Sequence, residues 1–263
     1  MAWWVISAKF ILLAMKQTAA NPEKILPWED PVHAEIPQVR DGELGAVYYG
    51  QRRSGDFYDF SRCNGERLLF GLFDVAGKLE QARPIMVAMQ KELRNLSAEL
   101  LSDPASNEME AMTELWIRLN REIIKAAGGV HQCSAFIACY NEHLKTLAYV
   151  NAGHTPGLMR DGGHIAELGA TALPLGLFSH AVPEPGMVAL GPGHLVLLIS
   201  RGVVEARRRG DEFGLEGVKK YMQELGFQSA RETCLGLLSR VQQFMGTAPT
   251  HDDVTTVSLA RTN

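Results

Sequence analysis

The chain has 263 residues, 46% hydrophobic and 21% charged, a globular balance sufficient for one large domain or two small ones. Twenty-six basic residues against 30 acidic ones give a net charge of −4, which supplies no general attraction to nucleic acid. Four scattered cysteines (Cys63, Cys133, Cys139 and Cys234) form no C-x-x-C pair, which argues against a zinc ribbon and fits reduced thiols in a cytoplasmic protein.

Met1 to Met15 is apolar apart from Ser7 and Lys9. The stretch is too short to span a bilayer comfortably and lacks the basic start and cleavage site of a signal peptide, so no integral membrane span is expected. Residues 16–40 carry Pro22, Pro27, Pro31 and Pro37 and read as an irregular lead-in. The expected organisation is therefore a lead-in over residues 1–40 and one domain over 41–263.

From Leu44 the pattern changes. Leu44 to Tyr49 predicts a strand, and Phe57 to Phe60 and Arg67 to Phe73 predict two more, joined at Asn64-Gly65 as a hairpin. Glu80 to Leu101 and Met109 to Ala127 have helical spacing, with core stripes such as Ile85, Met89 and Leu93. Short strands follow over Ser134 to Tyr140, Leu147 to Val150, Leu158 to Arg160, Val188 to Leu190 and Leu195 to Ile199. Helices over Leu215 to Leu225 and Ala230 to Met245 precede a last strand, Val254 to Leu259. Sequential strands with tight turns favour antiparallel pairing, and helices inserted in pairs favour sheets covered by helices.

Three acidic blocks lie far apart: Gly55-Asp56-Phe57-Tyr58-Asp59, Asp74-Val75-Ala76-Gly77-Lys78 and His251-Asp252-Asp253-Val254-Thr255. Each sits where a strand is expected to end. Any one Asp there reads equally well as a turn former or helix cap. Together they suggest carboxylates converging on a hard cation, Mg²⁺ or Mn²⁺, which takes oxygen ligands. Asp74 leaves the mouth of a buried strand, and the turn after it can offer a carboxylate and a backbone carbonyl to one ion.

These blocks, with Asn151-Ala152-Gly153-His154-Thr155-Pro156, Leu173-Pro174-Leu175-Gly176, Gly202-Val203-Val204-Glu205-Ala206-Arg207 and Phe213-Gly214, stand in an order that resembles the metal-dependent PPM-type (2C-type) serine/threonine protein phosphatases of the bacterial SpoIIE/RsbU-like branch. The resemblance runs from about residue 40 to the end. It implies an α+β fold, two packed antiparallel sheets flanked by helices, with two Mg²⁺ or Mn²⁺ ions between the sheet ends. It implies that Asp74 bridges the ions, that the Val75 carbonyl and Asp56 serve one, and that Asp252 holds the other. A metal-activated water would then hydrolyse a phospho-Ser or phospho-Thr on a regulatory partner, an anti-sigma-antagonist-like protein. His154, Asp253 and Asp59 are expected near the ions without being their main ligands. A homodimer is left open. For His154 alone, a turn residue bonded to the backbone is the plainer account, and for Arg52 and Arg53 a solvated basic turn; phosphate contact by Arg53 is the alternative.

One position breaks the pattern. Where the branch carries T-D-G, this chain has Ser200-Arg201-Gly202, with the flanking segments intact. A guanidinium cannot ligate a cation and stays protonated. At about 4 Å and an effective dielectric of about 20, it opposes each unit of ion charge by roughly 4 kcal/mol. Two readings follow. Arg201 impairs the site, leaving a slow phosphatase or a pseudophosphatase that binds a phosphoprotein; or it grips the substrate phosphate beside a single ion.

Overall fold

The computed structural model describes residues 34–50, 55–126, 131–226, 229–247 and 252–262. The expected lead-in therefore lies, up to residue 33, outside the described residues.

The Asn64-Gly65 hairpin joins β2 (Asp56–Arg62) to β3 (Arg67–Val75). Asn64 builds the turn: its Oδ1 accepts the backbone N–H groups of Glu66 and Arg67, both at 2.8 Å. β3 pairs next with β4 (Cys133–Asn141), then β4 with β5 (Thr146–Ala152) and β5 with β8 (Gly186–Ala189), giving a five-stranded antiparallel sheet in the order β2-β3-β4-β5-β8. The second five-stranded sheet has the order β1-β12-β9-β6-β7. It comprises β1 (Gly42–Tyr49), β12 (Val254–Arg261), β9 (Leu195–Ile199), β6 (Gly157–Asp161) and β7 (His164–Leu168). These pairings are antiparallel as well.

Three buried clusters explain the layering. Side chains at alternate strand positions point to opposite faces, so a sheet buried on both sides needs two partners. Phe60, Phe70, Leu72 and Phe136 from one sheet meet Leu44, Val196, Leu198 and Val257 from the other in the middle of the molecule. On the outer face of the first sheet, Leu69, Phe73 and Ile137 pack under α1 (Leu79–Leu100) and α2 (Glu108–Ala126), whose stripes include Met89, Leu93, Leu115 and Trp116. On the outer face of the second, Leu197, Ile199 and Val254 pack under α4 (Gly214–Glu224) and α5 (Ala230–Met245) through Met222, Leu237 and Val241. The expected α+β sandwich is the observed one. Ser229 caps α5 with a reciprocal capping box to Glu232, which sets its start.

Three small elements lie outside the expectations: the strand β7, a one-turn helix α3 (Arg201–Val204), and the two-residue pair β10 (Arg207–Arg208) and β11 (Asp211–Glu212). All four cysteines are buried and free. Among the described residues no helix is long and apolar enough to cross a membrane.

Candidate metal and phosphate centre

The acidic blocks meet because an antiparallel hairpin brings the start of one strand beside the end of the next. Asp56 does not end a strand, as the sequence pattern suggested; it begins β2, and Asp74 lies one residue from the end of β3. The two are direct register partners. Their neighbours Phe57 and Phe73 are partners too, stacked with centroids 4.6 Å apart on the face under the helices. Alternation therefore sends both carboxylates to the opposite face, toward the other sheet. Like charges directly opposite on one face are destabilising unless a proton or a cation intervenes.

The other sheet supplies the remaining groups from the start of β12, the chain just before it and the chain just after β9. Thr255, buried, donates its hydroxyl to Asp56 Oδ2 at 3.1 Å, a bond that ties the two sheets together. The Ser200 hydroxyl accepts the Thr255 N–H at 2.9 Å and donates to the Asp253 carbonyl at 3.1 Å. Two glycines allow these close approaches. A Cβ on Gly202 would stand 2.0 Å from the Asp253 carbonyl oxygen, and one on Gly55 would stand 2.1 Å from the Val75 carbonyl oxygen.

Arg201, the first residue of α3, lays its guanidinium among the carboxylates. Its Nη2 is 3.4 Å from Asp74 Oδ2 and 3.9 Å from Asp252 Oδ2, and its Nε is 3.9 Å from Glu205 Oε1. The side chain is 55% exposed, so these pairs are partly screened by solvent. Asp252 spends its other oxygen on the Asp253 N–H, at 2.8 Å.

Burial pushes the Asp56 carboxyl well above the usual range, and the negative charges of Asp74 and then Asp252 push it further. Burial also raises Asp74; Arg201 pulls it back, while Asp252 and Glu205 add to the rise. Three carboxylates thus feel one another across the sheet ends, with one guanidinium between two of them.

His154 sits in the turn after β5. Its N–H donates to Asn151 Oδ1 at 2.9 Å, and its Nδ1 lies 2.9 Å from the Thr155 hydroxyl, which in turn donates to the Ile199 carbonyl. Burial lowers its pKa to about 4, with a smaller push from Arg201, so it is neutral at pH 7. Asp253 is buried, its side chain in the space above Gly50. Asp59 is not part of the cluster. Three residues on from Asp56, it points to the helix face, where Arg94 of α1 grips both its oxygens at 2.8 Å. Arg53 lies outside the described residues. Sequence reasoning assigned no role to Ser200, Thr255 or Glu205; Thr255 lies inside a block already singled out, and Ser200 stands directly before the break.

The donor set, carboxylates and a backbone carbonyl, is the hard-oxygen chemistry that Mg²⁺ and Mn²⁺ take. Among the described residues, however, no three His, Cys, Asp or Glu side chains close to form a ready ion site. The facing pair Asp56 and Asp74 suits an ion; the gap between Asp74 and Asp252 is spanned by Arg201.

The family model for stage II sporulation protein E, SpoIIE, matches residues 64–262. The chain belongs to the SpoIIE family and has the PP2C-type fold. No curated protein sequence matches it. Among solved structures, it is similar to the SiaA PP2C domain of Pseudomonas aeruginosa, at 17% identity and a TM-score of 0.72, covering 100% of this chain and 99% of that one. It is similar also to the PP2C domain of SpoIIE from Bacillus subtilis, solved with a fragment of the regulatory domain, at 17% identity and a TM-score of 0.68, covering 85% of this chain. A Mycobacterium tuberculosis structure with RsbU and RsbW domains gives 18% and 0.66, covering 91%. This SpoIIE-family chain spans 64% of each of the last two. The catalytic domain of PstP, described in complex with two manganese ions, is similar at 13% identity and a TM-score of 0.59, covering 84% of this chain and 99% of that one.

Proposed function

We propose that this SpoIIE-family chain is a metal-dependent phosphoprotein phosphatase. The observation that carries the reading is the direct cross-strand pairing of Asp56 with Asp74 on the face that Asp252 approaches from the opposite sheet. A facing carboxylate pair, partly buried and without a full countercharge, is built for a divalent cation. Asp56 and Asp74 would hold Mg²⁺ or Mn²⁺, with the Val75 carbonyl beside them and Asp252 facing them. When bound, such an ion polarises a phosphoryl oxygen and lowers the pKa of water.

The chain's own residues do the rest. Thr255 fixes the orientation of Asp56, so the pair does not splay apart. Arg201 presents N–H donors at the open side of the cluster, where a phosphate monoester would arrive. His154, neutral and hydrogen-bonded within its own turn, supports the segment beside Arg201 and carries no charge into the site. The substrate class is a phosphorylated Ser or Thr on a regulatory protein, by analogy with RsbU-like and SpoIIE-like relatives. A cytoplasmic location accords with the reduced, buried thiols.

A second reading has one observation in its favour. Arg201 already pairs with two of the three carboxylates, which suits a phosphoprotein-binding module that does not turn over. Hydrolysis of a generic aryl phosphate with excess Mn²⁺ separates them. The phosphatase reading expects turnover by the wild type, abolished by a chelator and by Asp74→Asn. An inert wild type beside an active Arg201→Asp variant would establish the binding module instead.

A further inference from the structure

The cluster carries an internal charge balance. With all three carboxylates ionised around a bound cation, Asp56, Asp74 and Asp252 would contribute three negative charges and Arg201 one positive charge, leaving two negative. His154 is neutral and adds nothing. Glu205 is half-exposed at the rim, on the Nε side of the guanidinium. A remainder of two is matched by one divalent ion. Two such ions would overload the cluster and stand beside a fixed positive charge.

The three carboxylates are not equivalent. Asp252 gives one oxygen to the Asp253 N–H at 2.8 Å, and its other oxygen lies at ion-pair distance, 3.9 Å, from Arg201. Asp56 and Asp74 face each other across the hairpin; burial raises both, Asp74 pushes Asp56 further, and Asp74 turns one oxygen to the guanidinium at 3.4 Å while Asp56 makes no pair with it. Arg201 emerges from a fixed point. Ser200 is bound into the start of β12, and Gly202 is pressed on the Asp253 carbonyl, so the stem of Arg201 cannot drift far from Asp252.

We propose that Arg201 takes the place of a second divalent ion: the site binds one Mg²⁺ or Mn²⁺ against Asp56 and Asp74, while Asp252 holds the Arg201 guanidinium to receive the oxygens of a phosphate monoester. A planar guanidinium offers two parallel N–H donors to phosphate, which a metal-bound carboxylate at this position does not. The inference rests on the reading of Asp56 and Asp74 as an ion site and specifies that site's stoichiometry and its phosphate contact.

The test is calorimetric titration of Mn²⁺ into the chelator-stripped full chain, followed by titration of inorganic phosphate into the Mn²⁺-loaded protein. The wild type is expected to bind one ion per chain. Arg201→Asp, which restores a carboxylate, is expected to bind two. Arg201→Ala is expected to keep one ion and to lose at least tenfold in phosphate affinity. Two ions in the wild type, or equal phosphate affinity in wild type and Arg201→Ala, would overturn the assignment of Arg201 and leave the ion site standing. Should Asp74→Asn bind Mn²⁺ as the wild type does, the ion site itself is wrong. Circular-dichroism melts identify a variant that fails to fold; if Arg201→Asp does, the wild-type ion count and the Arg201→Ala phosphate titration still decide.

Discussion

Replacing Asp56 with Asn should stabilise the metal-free protein while abolishing its response to Mn²⁺. The cost that Asn removes can be worked from the register. Directly opposite partners in an antiparallel pair stand about 5 Å apart at Cβ. Two unit charges at that separation, at an effective dielectric of about 20, repel by about 3 kcal/mol. Asp56 is only 8% exposed, so solvent screening relieves little of this. The Asn amide oxygen can still accept the Thr255 hydroxyl, so the tie between sheets survives. The sign of the pH dependence follows from the raised Asp56 pKa. A carboxyl raised in the folded state costs nothing below its unfolded pKa, near 4, where both states are protonated. Stability is then lost as pH rises toward the folded pKa and stays lost above it. The assay is urea unfolding in EDTA across pH 3.5 to 8. The expected gain of Asp56→Asn over wild type is near zero at the acid end and about 2–3 kcal/mol at pH 8. Added Mn²⁺ should raise the wild-type midpoint and leave the variant unmoved. A variant less stable than wild type at pH 8, or a difference that does not change with pH, would show that the carboxylates are not crowded as described.

Other substitutions probe the scaffold. Arg94→Ala leaves Asp59 buried without its partner and should cost about 3 kcal/mol in urea unfolding, mostly recovered by adding Asp59→Asn; an additive double mutant would refute the pairing. His154 has its pKa lowered to about 4, so its contribution is intact above about pH 6.5 and is lost as pH falls toward 4, because the unfolded chain then takes the proton first. His154→Gln in EDTA should therefore flatten the wild-type decline by on the order of 3 kcal/mol between pH 7 and 4, and an unchanged slope would contradict the assignment. Gly202→Ala forces a methyl to within 2.0 Å of the Asp253 carbonyl oxygen, so the segments carrying Arg201 and Asp252 must separate. Phosphate affinity of the Mn²⁺-loaded variant should fall at least tenfold, and an unaltered value would mean the backbone contact is unimportant.

Much of the fold was legible because its strongest signals are local. The Asn64-Gly65 turn, the helical stripes around Met89 and Leu115, and the apolar run Leu195 to Ile199 each occupy the expected element. β7 was missed because His164 to Leu168 is five residues with weak alternation, and its strand character comes from pairing with β6. Which strands share a sheet was not legible, since β1 finds its partner β12 at the far end of the chain. At the site, residue chemistry was readable and direction was only partly so. The period of two places Asp59 on the opposite face from Asp56, and applying it would have removed Asp59 from the cluster. The Thr255 bond to Asp56 and the Ser200 bond to Asp253 depend on how two sheets meet, which no local pattern encodes. The substitution at Arg201 was visible as a break; its pairing with both Asp74 and Asp252 depends on how the two sheet ends meet.

Anomalous scattering from Mn²⁺-soaked crystals tests the account most directly. A single peak touching Asp56 and Asp74, with the Arg201 head beside Asp252, is the predicted result. A cleft without any peak at saturating Mn²⁺, or manganese bound only at sites remote from that carboxylate pair, would contradict it.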